Sequence, residues 1–166
     1  MPATGDSALY RLAARVGRRL HKAGASIATA ESCTGGFLAK CLTDLSGSSH
    51  YFDRGWIAYS NAAKQKLLGV SARVLARHGA VSEPVALAMA RGALKAAGAT
   101  VAVAVTGIAG PTGATAGRPV GTVWIAWARH ERGRILTRAE HHRFAGDRDA
   151  VRRLTVAAAL AGLLQP

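Results

Sequence analysis

Thr29-Ala30-Glu31-Ser32-Cys33-Thr34-Gly35-Gly36 lies between an apolar run, Ile27-Ala28, and a helical pattern, Phe37 to Thr43. A hydroxyl, a thiol, a carboxylate and two glycines are packed into one short stretch. This is the order expected of a strand, a tight turn and a helix N-terminus, where backbone N–H groups are left unpaired. Such a turn suits a nucleophile, a bound anion or an ordinary helix cap. The rest of the chain has to separate these.

Working outward, the helix after the turn is expected over roughly Cys33 to Asp44, with Leu38, Cys41, Leu42 and Leu45 inward. Upstream, residues 1–6 are expected to be a loose terminus. Ser7 is placed to cap a helix whose stripe is Leu9, Leu12, Ala13, Val16 and Leu20, closed by Gly24. Ser26–Ala30 is a strand. Downstream, Ser46–Ser49 is a turn and Gly55–Ser60 a strand rich in aromatic and apolar residues. Asn61 is expected to cap a helix Ala62–Leu68, and a short helix Ala72–Arg77 follows. Ser82 opens a longer helix with Pro84 in its first turn and Val85, Ala88, Met89, Gly92 and Ala96 buried.

Thr100–Val105 is almost all Val and Ala, as in a strand buried on both faces. A glycine-rich loop, Thr106 to Pro119, leaves it. Val120–Ala128 and Arg134–Phe144 are two more strands, joined at Arg132-Gly133, and the charges of the second suit a sheet edge. Asp147 caps a last helix with Val151, Leu154 and Ala158 inward. No repeat or linker divides residues 1–166. Strands mixed with helices, and one hairpin, predict a single α/β domain with a mixed sheet.

The 166 residues are 49% hydrophobic, enough for a real core and unlike a disordered chain. Net charge is +13, which suits nucleic acid, an acidic surface or a phosphorylated small molecule. The arginines are scattered, however, and Arg18-Arg19 and Arg152-Arg153 are expected to be solvated helix faces. The two cysteines, Cys33 and Cys41, form no disulfide framework and fit a reducing cytoplasm. No run of 18 apolar residues and no signal-peptide pattern is seen, so a soluble cytoplasmic protein without a membrane partner is expected.

Three strand exits carry the polar residues: Thr29–Gly36, Tyr59-Ser60-Asn61 with Lys64 one turn on, and Thr106–Gly113. In α/β sheets ligands sit beyond the carboxyl ends of strands, so parallel neighbours would bring these exits together. Ser32 needs a base to act as a nucleophile, and no histidine lies at an exit. Lys64 does, and a desolvated lysine loses its proton near neutral pH. An alternative for Lys64 is a surface lysine, with Lys66 as its control. Cys33 is a rival nucleophile or a buried packing residue. Glu31 either orients the lysine or favours the helix's first turn. The Thr106 loop is neither G-x-x-x-x-G-K-[ST] nor G-x-G-x-x-G, which argues against a nucleoside triphosphate or dinucleotide. Nothing in the spacing suggests a metal or other cofactor.

These stretches, with Tyr59-Ser60-Asn61-Ala62-Ala63-Lys64, Gly79-Ala80-Val81-Ser82-Glu83, Val105-Thr106-Gly107-Ile108-Ala109-Gly110-Pro111, Pro119-Val120-Gly121-Thr122-Val123 and Phe144-Ala145-Gly146-Asp147-Arg148 followed by Val151-Arg152, resemble the CinA C-terminal domain family. Its stand-alone members are nicotinamide-nucleotide amidohydrolases of the PncC type. The resemblance covers about residues 8–164. It implies a three-layer α/β/α sandwich with a mixed, mostly parallel sheet of five or six strands, often a homodimer. It implies hydrolysis of nicotinamide mononucleotide (NMN) to nicotinate mononucleotide and ammonia in pyridine-nucleotide salvage, by a Ser/Lys dyad without metal. Carried over by position, Ser32 is the nucleophile and Lys64 the base. Glu31, Cys33, Thr34, Gly35, Tyr59, Asn61, Thr106, Gly107 and Gly110 are supporting or substrate-binding residues. Arg118, Arg143 and Arg148 are candidates for the substrate phosphate. The chain departs from the family after Pro111, with Thr112-Gly113-Ala114-Thr115-Ala116-Gly117-Arg118 in place of a more glycine-rich Pro-acidic/Gly-Lys stretch. Two other readings stay open: an idle nucleotide-binding module of this fold, and a basic nucleic-acid-associated protein, which no recognised motif supports.

Overall fold

The computed structural model describes residues 4–165. Residues 1–3 of the expected loose terminus lie outside the described residues. Among the described residues a single sheet holds five strands: β1 (Ile27–Glu31), β2 (Phe52–Ile57), β3 (Val101–Gly107), β4 (Thr122–Glu131) and β5 (Arg134–Arg143). Their order is β2-β1-β3-β4-β5. β1 pairs in parallel with β2 and β3, whereas β4 is antiparallel to both β3 and β5. Four strands therefore run one way and only β4 runs against them. The sheet is mixed and mostly parallel, with β5 at one edge as expected and β2 at the other.

The layers follow from a size alternation. In β3 and its neighbours one side-chain set is Ile27, Val103, Val105, Ile125 and Trp127. It packs under α1 (Asp6–Lys22), α2 (Phe37–Thr43) and α6 (Arg148–Gly162). The alternate set is Ala28, Ala30, Ala102, Ala104, Ala126 and Ala128, against α3 (Asn61–Leu68), α4 (Ala72–His78) and α5 (Glu83–Ala97). Successive strand residues point to opposite faces, so the Val-Ala run has one bulky face and one flat face. The flat face lets α5 lie close, with Val85, Ala86, Met89, Ala90, Ala93 and Leu94 buried. Ala96 is exposed rather than inward.

Gly92 of α5 is needed for a different contact. A Cβ there would lie 1.9 Å from the Leu68 carbonyl oxygen at the end of α3. Gly92→Ala must push α3 off α5, and overpacking of this kind costs about 2 kcal/mol. Because α3 carries Lys64, we expect a lowered urea midpoint together with a loss of turnover. An unchanged midpoint would show that α3 and α5 are not held at this separation.

Several boundaries differ from expectation. Gly5, not Ser7, is the N-cap of α1. β2 starts at Phe52 and ends at Ile57, three residues earlier than expected. As an edge strand it tolerates the exposed Asp53 and Arg54, so its apolar pattern is hidden. Ser60, not Asn61, caps α3, its hydroxyl accepting from Ala63 N at 3.0 Å. Arg152 and Arg153 are half-buried and bonded rather than a solvated face, whereas Arg18 and Arg19 are exposed. The greatest difference is in α2. It begins at Phe37, because Gly35 (φ +59) and Gly36 (φ +97) are left-handed and cannot extend a helix back to Cys33. Among the described residues no helix is long and apolar enough to cross a membrane.

Candidate active site

Because β2, β1 and β3 are adjacent and parallel, their carboxyl ends emerge on one edge of the sheet. Ser32 follows β1 directly, tied by its N–H to Val105 O of β3 at 3.1 Å. Lys64 comes from α3, one turn beyond the β2 exit. The two exits meet: Lys64 Nζ lies 3.2 Å from Ser32 Oγ. Lys64 is only 1% exposed, and its amine also donates to Ala58 O and Tyr59 O, both at 3.0 Å. Among the described residues no carboxylate pairs with it. Burial pushes its pKa below the ordinary lysine value of 10.5.

Three partners around one nitrogen have a chemical consequence. A neutral amine holds two N–H groups toward Ala58 O and Tyr59 O and points its lone pair at the Ser32 hydroxyl. An ammonium would direct its third N–H to the same oxygen. The cradle therefore accommodates both protonation states without moving a heavy atom, as a proton shuttle requires. Lys66 is exposed and outside this arrangement.

Glu31 does not touch the lysine. Buried at the end of β1, its carboxylate accepts from Thr34 Oγ1 at 2.6 Å, Leu38 N at 2.8 Å and Ala39 N at 3.0 Å. Of the two roles open to it, it takes the helix role. Of the roles open to the turn, a bound anion at the N-terminus of α2 is displaced, because the helix's leading N–H groups of Leu38 and Ala39 already hold Glu31. The donors left near Ser32 belong to the turn. Among the described residues no protein oxygen accepts the N–H of Cys33 or Thr34, while Gly35 N donates to Ser32 O at 3.1 Å.

Cys33 is buried in the core beneath α1 and α6, and burial pushes its thiol up to about 12. It packs, and at neutral pH it is not a thiolate. The site's rim is formed by Arg148, which donates to Tyr59 OH at 3.0 Å and to Gly110 O at 2.9 Å. One guanidinium thus joins the β2 exit to the glycine-rich loop. Tyr59 is 56% exposed and forms part of the open wall.

Other expected residues are not brought together with the pair by hydrogen bonds. Thr106 is buried and donates to Ala80 O at 2.8 Å. Gly107 ends β3, where a Cβ would strike Val123 and the Thr122 carbonyl, so its smallness serves strand packing. Arg118 anchors the long loop to His78 O at 2.7 Å. Asn61 and Arg143 are exposed, and among the described residues no side-chain bond ties them to the site. Among the described residues no cluster of His, Cys, Asp or Glu is arranged for a metal ion.

Two features escaped sequence reasoning. The carbonyls of Ala58 and Tyr59 carry no side-chain signal at all. Arg152 donates to Thr34 O at 2.8 Å and lies against the nucleophile turn. Its position one helical turn after Arg148, on the same face of α6, was a usable signal.

The CinA C-terminal domain model matches residues 9–166. The Escherichia coli K12 protein named nicotinamide-nucleotide amidohydrolase PncC is 55% identical over 160 residues, covering 96% of this chain and 95% of that protein. The Pseudomonas putida protein of the same name is 51% identical over 154 residues, 93% of this chain and 94% of its own. Among solved structures, the competence/damage inducible protein CihA from Agrobacterium tumefaciens matches with a TM-score of 0.89 and 43% identity, covering 97% of each chain.

Proposed function

The chain belongs to the CinA C-terminal domain family, and we propose that it is a nicotinamide-nucleotide amidohydrolase, converting NMN and water to nicotinate mononucleotide and ammonia. The near full-length identity to relatives of that name supports the reaction. The family resemblance further supports a cytoplasmic homodimer working in pyridine-nucleotide salvage.

The observation that carries the mechanism is the buried Lys64 Nζ, 3.2 Å from Ser32 Oγ and fixed by two carbonyls. Neutral Lys64 takes the hydroxyl proton as Ser32 Oγ attacks the carboxamide carbon. The substrate oxygen becomes an oxyanion, for which the free N–H groups of Cys33 and Thr34 are the donors at hand. Collapse breaks the C–N bond, and the Lys64 proton leaves with ammonia. The acyl-Ser32 ester is then attacked by water, whose proton passes to Lys64 and on to the departing serine. Arg148, at the rim beside Tyr59 and the Gly110 loop, is the cation best placed to meet the substrate phosphate.

Incubation of the purified chain with NMN tests the reading. Ammonia and nicotinate mononucleotide are expected in equal amounts, and hydroxylamine should divert product to the hydroxamate by trapping the acyl-enzyme. Binding of NMN without ammonia release would favour an idle nucleotide-binding module.

A further inference from the structure

Arg152 and Arg153 are adjacent on α6, and both guanidinium groups approach the Phe37 ring, at 6.0 and 5.6 Å from its centre. Their surroundings differ. Arg153 is neutralised by Asp6 and Asp149, each at 2.6 Å. Arg152 has no carboxylate partner among the described residues. Among these residues its one bond goes to Thr34 O at 2.8 Å, and its Nε is buried with none of them as partner.

Leaving a buried guanidinium N–H unpaired costs stability, and so does holding a cation without a counter-ion. This one is spent on the turn that carries Ser32. Its Nη2 lies 3.5 Å from where a Cβ on Gly35 would be, so a side chain at Gly35 would meet it. Thr34 O also accepts Phe37 N at 3.1 Å. Arg152 therefore fixes the peptide following Thr34 from behind, just where the chain reverses through two left-handed glycines. Gly35 (φ +59) and Gly36 (φ +97) carry the reversal in left-handed backbone, and Arg152 ties it from outside the turn.

We propose that Arg152 is a positioning residue of the nucleophile turn. It clamps the Thr34 carbonyl, so that the unclaimed N–H groups of Cys33 and Thr34 stay aimed at the substrate oxygen. Its uncompensated positive charge favours the oxyanion that forms there. The inference rests on the amidohydrolase reading. Negative charge appears on that oxygen only during reaction, so the contribution belongs to turnover and not to substrate affinity.

The test compares wild type, Arg152→Met, Arg152→Lys and Arg153→Met on NMN, with kcat and KM measured separately. Arg152→Met should lower kcat about 30-fold with KM within about threefold, as for loss of a modest oxyanion contribution. Arg152→Lys should recover part of the loss, and free guanidinium ion at millimolar concentration should partly rescue Arg152→Met. Arg153→Met should lower the melting temperature with kcat retained. Unchanged kcat in folded Arg152→Met overturns the proposal. So does a loss with neither lysine nor guanidinium rescue and a matching drop in melting temperature, because that is the behaviour of a structural tie. Absence of turnover in wild type instead overturns the amidohydrolase reading itself, so the two failures are distinguishable.

Discussion

Ser32→Ala is expected to reduce ammonia release from NMN by about 10⁴-fold or more, with the protein folded as in wild type. The size follows from the role: removing the nucleophile of an acyl-transfer site leaves only binding and oxyanion stabilisation. Lys64→Met should lose a similar factor. The double substitution should be little worse than either single one, because the nucleophile and its base act as one unit. Lys66→Ala, on the exposed side of α3, should keep near wild-type turnover. The pH profile gives a further check. Lys64 must be neutral to accept the serine proton, so kcat/KM rises with pH through its pKa. Burial places that pKa below 10.5, and the acidic limb should therefore fall below the range of an ordinary lysine. A profile flat on its acidic side, or near wild-type activity in Ser32→Ala, would mean that another group attacks.

How much of this was legible beforehand depends on what each feature is made of. The three-layer frame was, through the family resemblance and a Thr100–Val105 run apolar on both faces, whereas the sorting of Val and Ala by size onto the two faces emerges only in the fold. The approach of Ser32 to Lys64 was foreshadowed by two strand exits, and parallel pairing of β1 with β2 completes it. The donors for the oxyanion were not. Glu31 lies on the strand side of the motif and reads equally as a residue that orients the lysine or one that favours the first helical turn. It takes tertiary geometry to see that its carboxylate occupies the N–H groups a ligand would have used. The cradle of Lys64 is hidden for a similar reason, since Ala58 and Tyr59 contribute main-chain oxygens, which no residue type announces. Arg118 and Arg143 illustrate the converse. Charge alone nominated them for phosphate, yet Arg118 is bonded to His78 O and Arg143 sits exposed at the end of the edge strand. The +13 net charge is likewise a weak guide to a nucleic-acid partner.

Glu31→Ala carries the second large effect, this time on stability. Three donors converge on its buried carboxylate: the Thr34 hydroxyl and the N–H groups of Leu38 and Ala39. Alanine leaves all three facing a void, and each stranded buried donor costs on the order of 1–3 kcal/mol. We expect a loss of about 4 kcal/mol in urea unfolding, or a melting temperature lower by about 10 °C. Glu31→Gln keeps one oxygen for Thr34 and Leu38, which share Oε1, but turns an NH₂ group toward the Ala39 N–H. It should lose about half as much. Thr34→Val removes only one of the three bonds and should cost about 1 kcal/mol. This gradation separates a cap from a catalytic acid. If Glu31 transferred a proton, Glu31→Gln would abolish turnover at any temperature. As the brace of the nucleophile turn, Glu31→Gln should instead retain much of its kcat well below its melting temperature and lose it as the turn loosens on warming. Complete inactivity of a folded Glu31→Gln protein in the cold would place the carboxylate among the reacting groups.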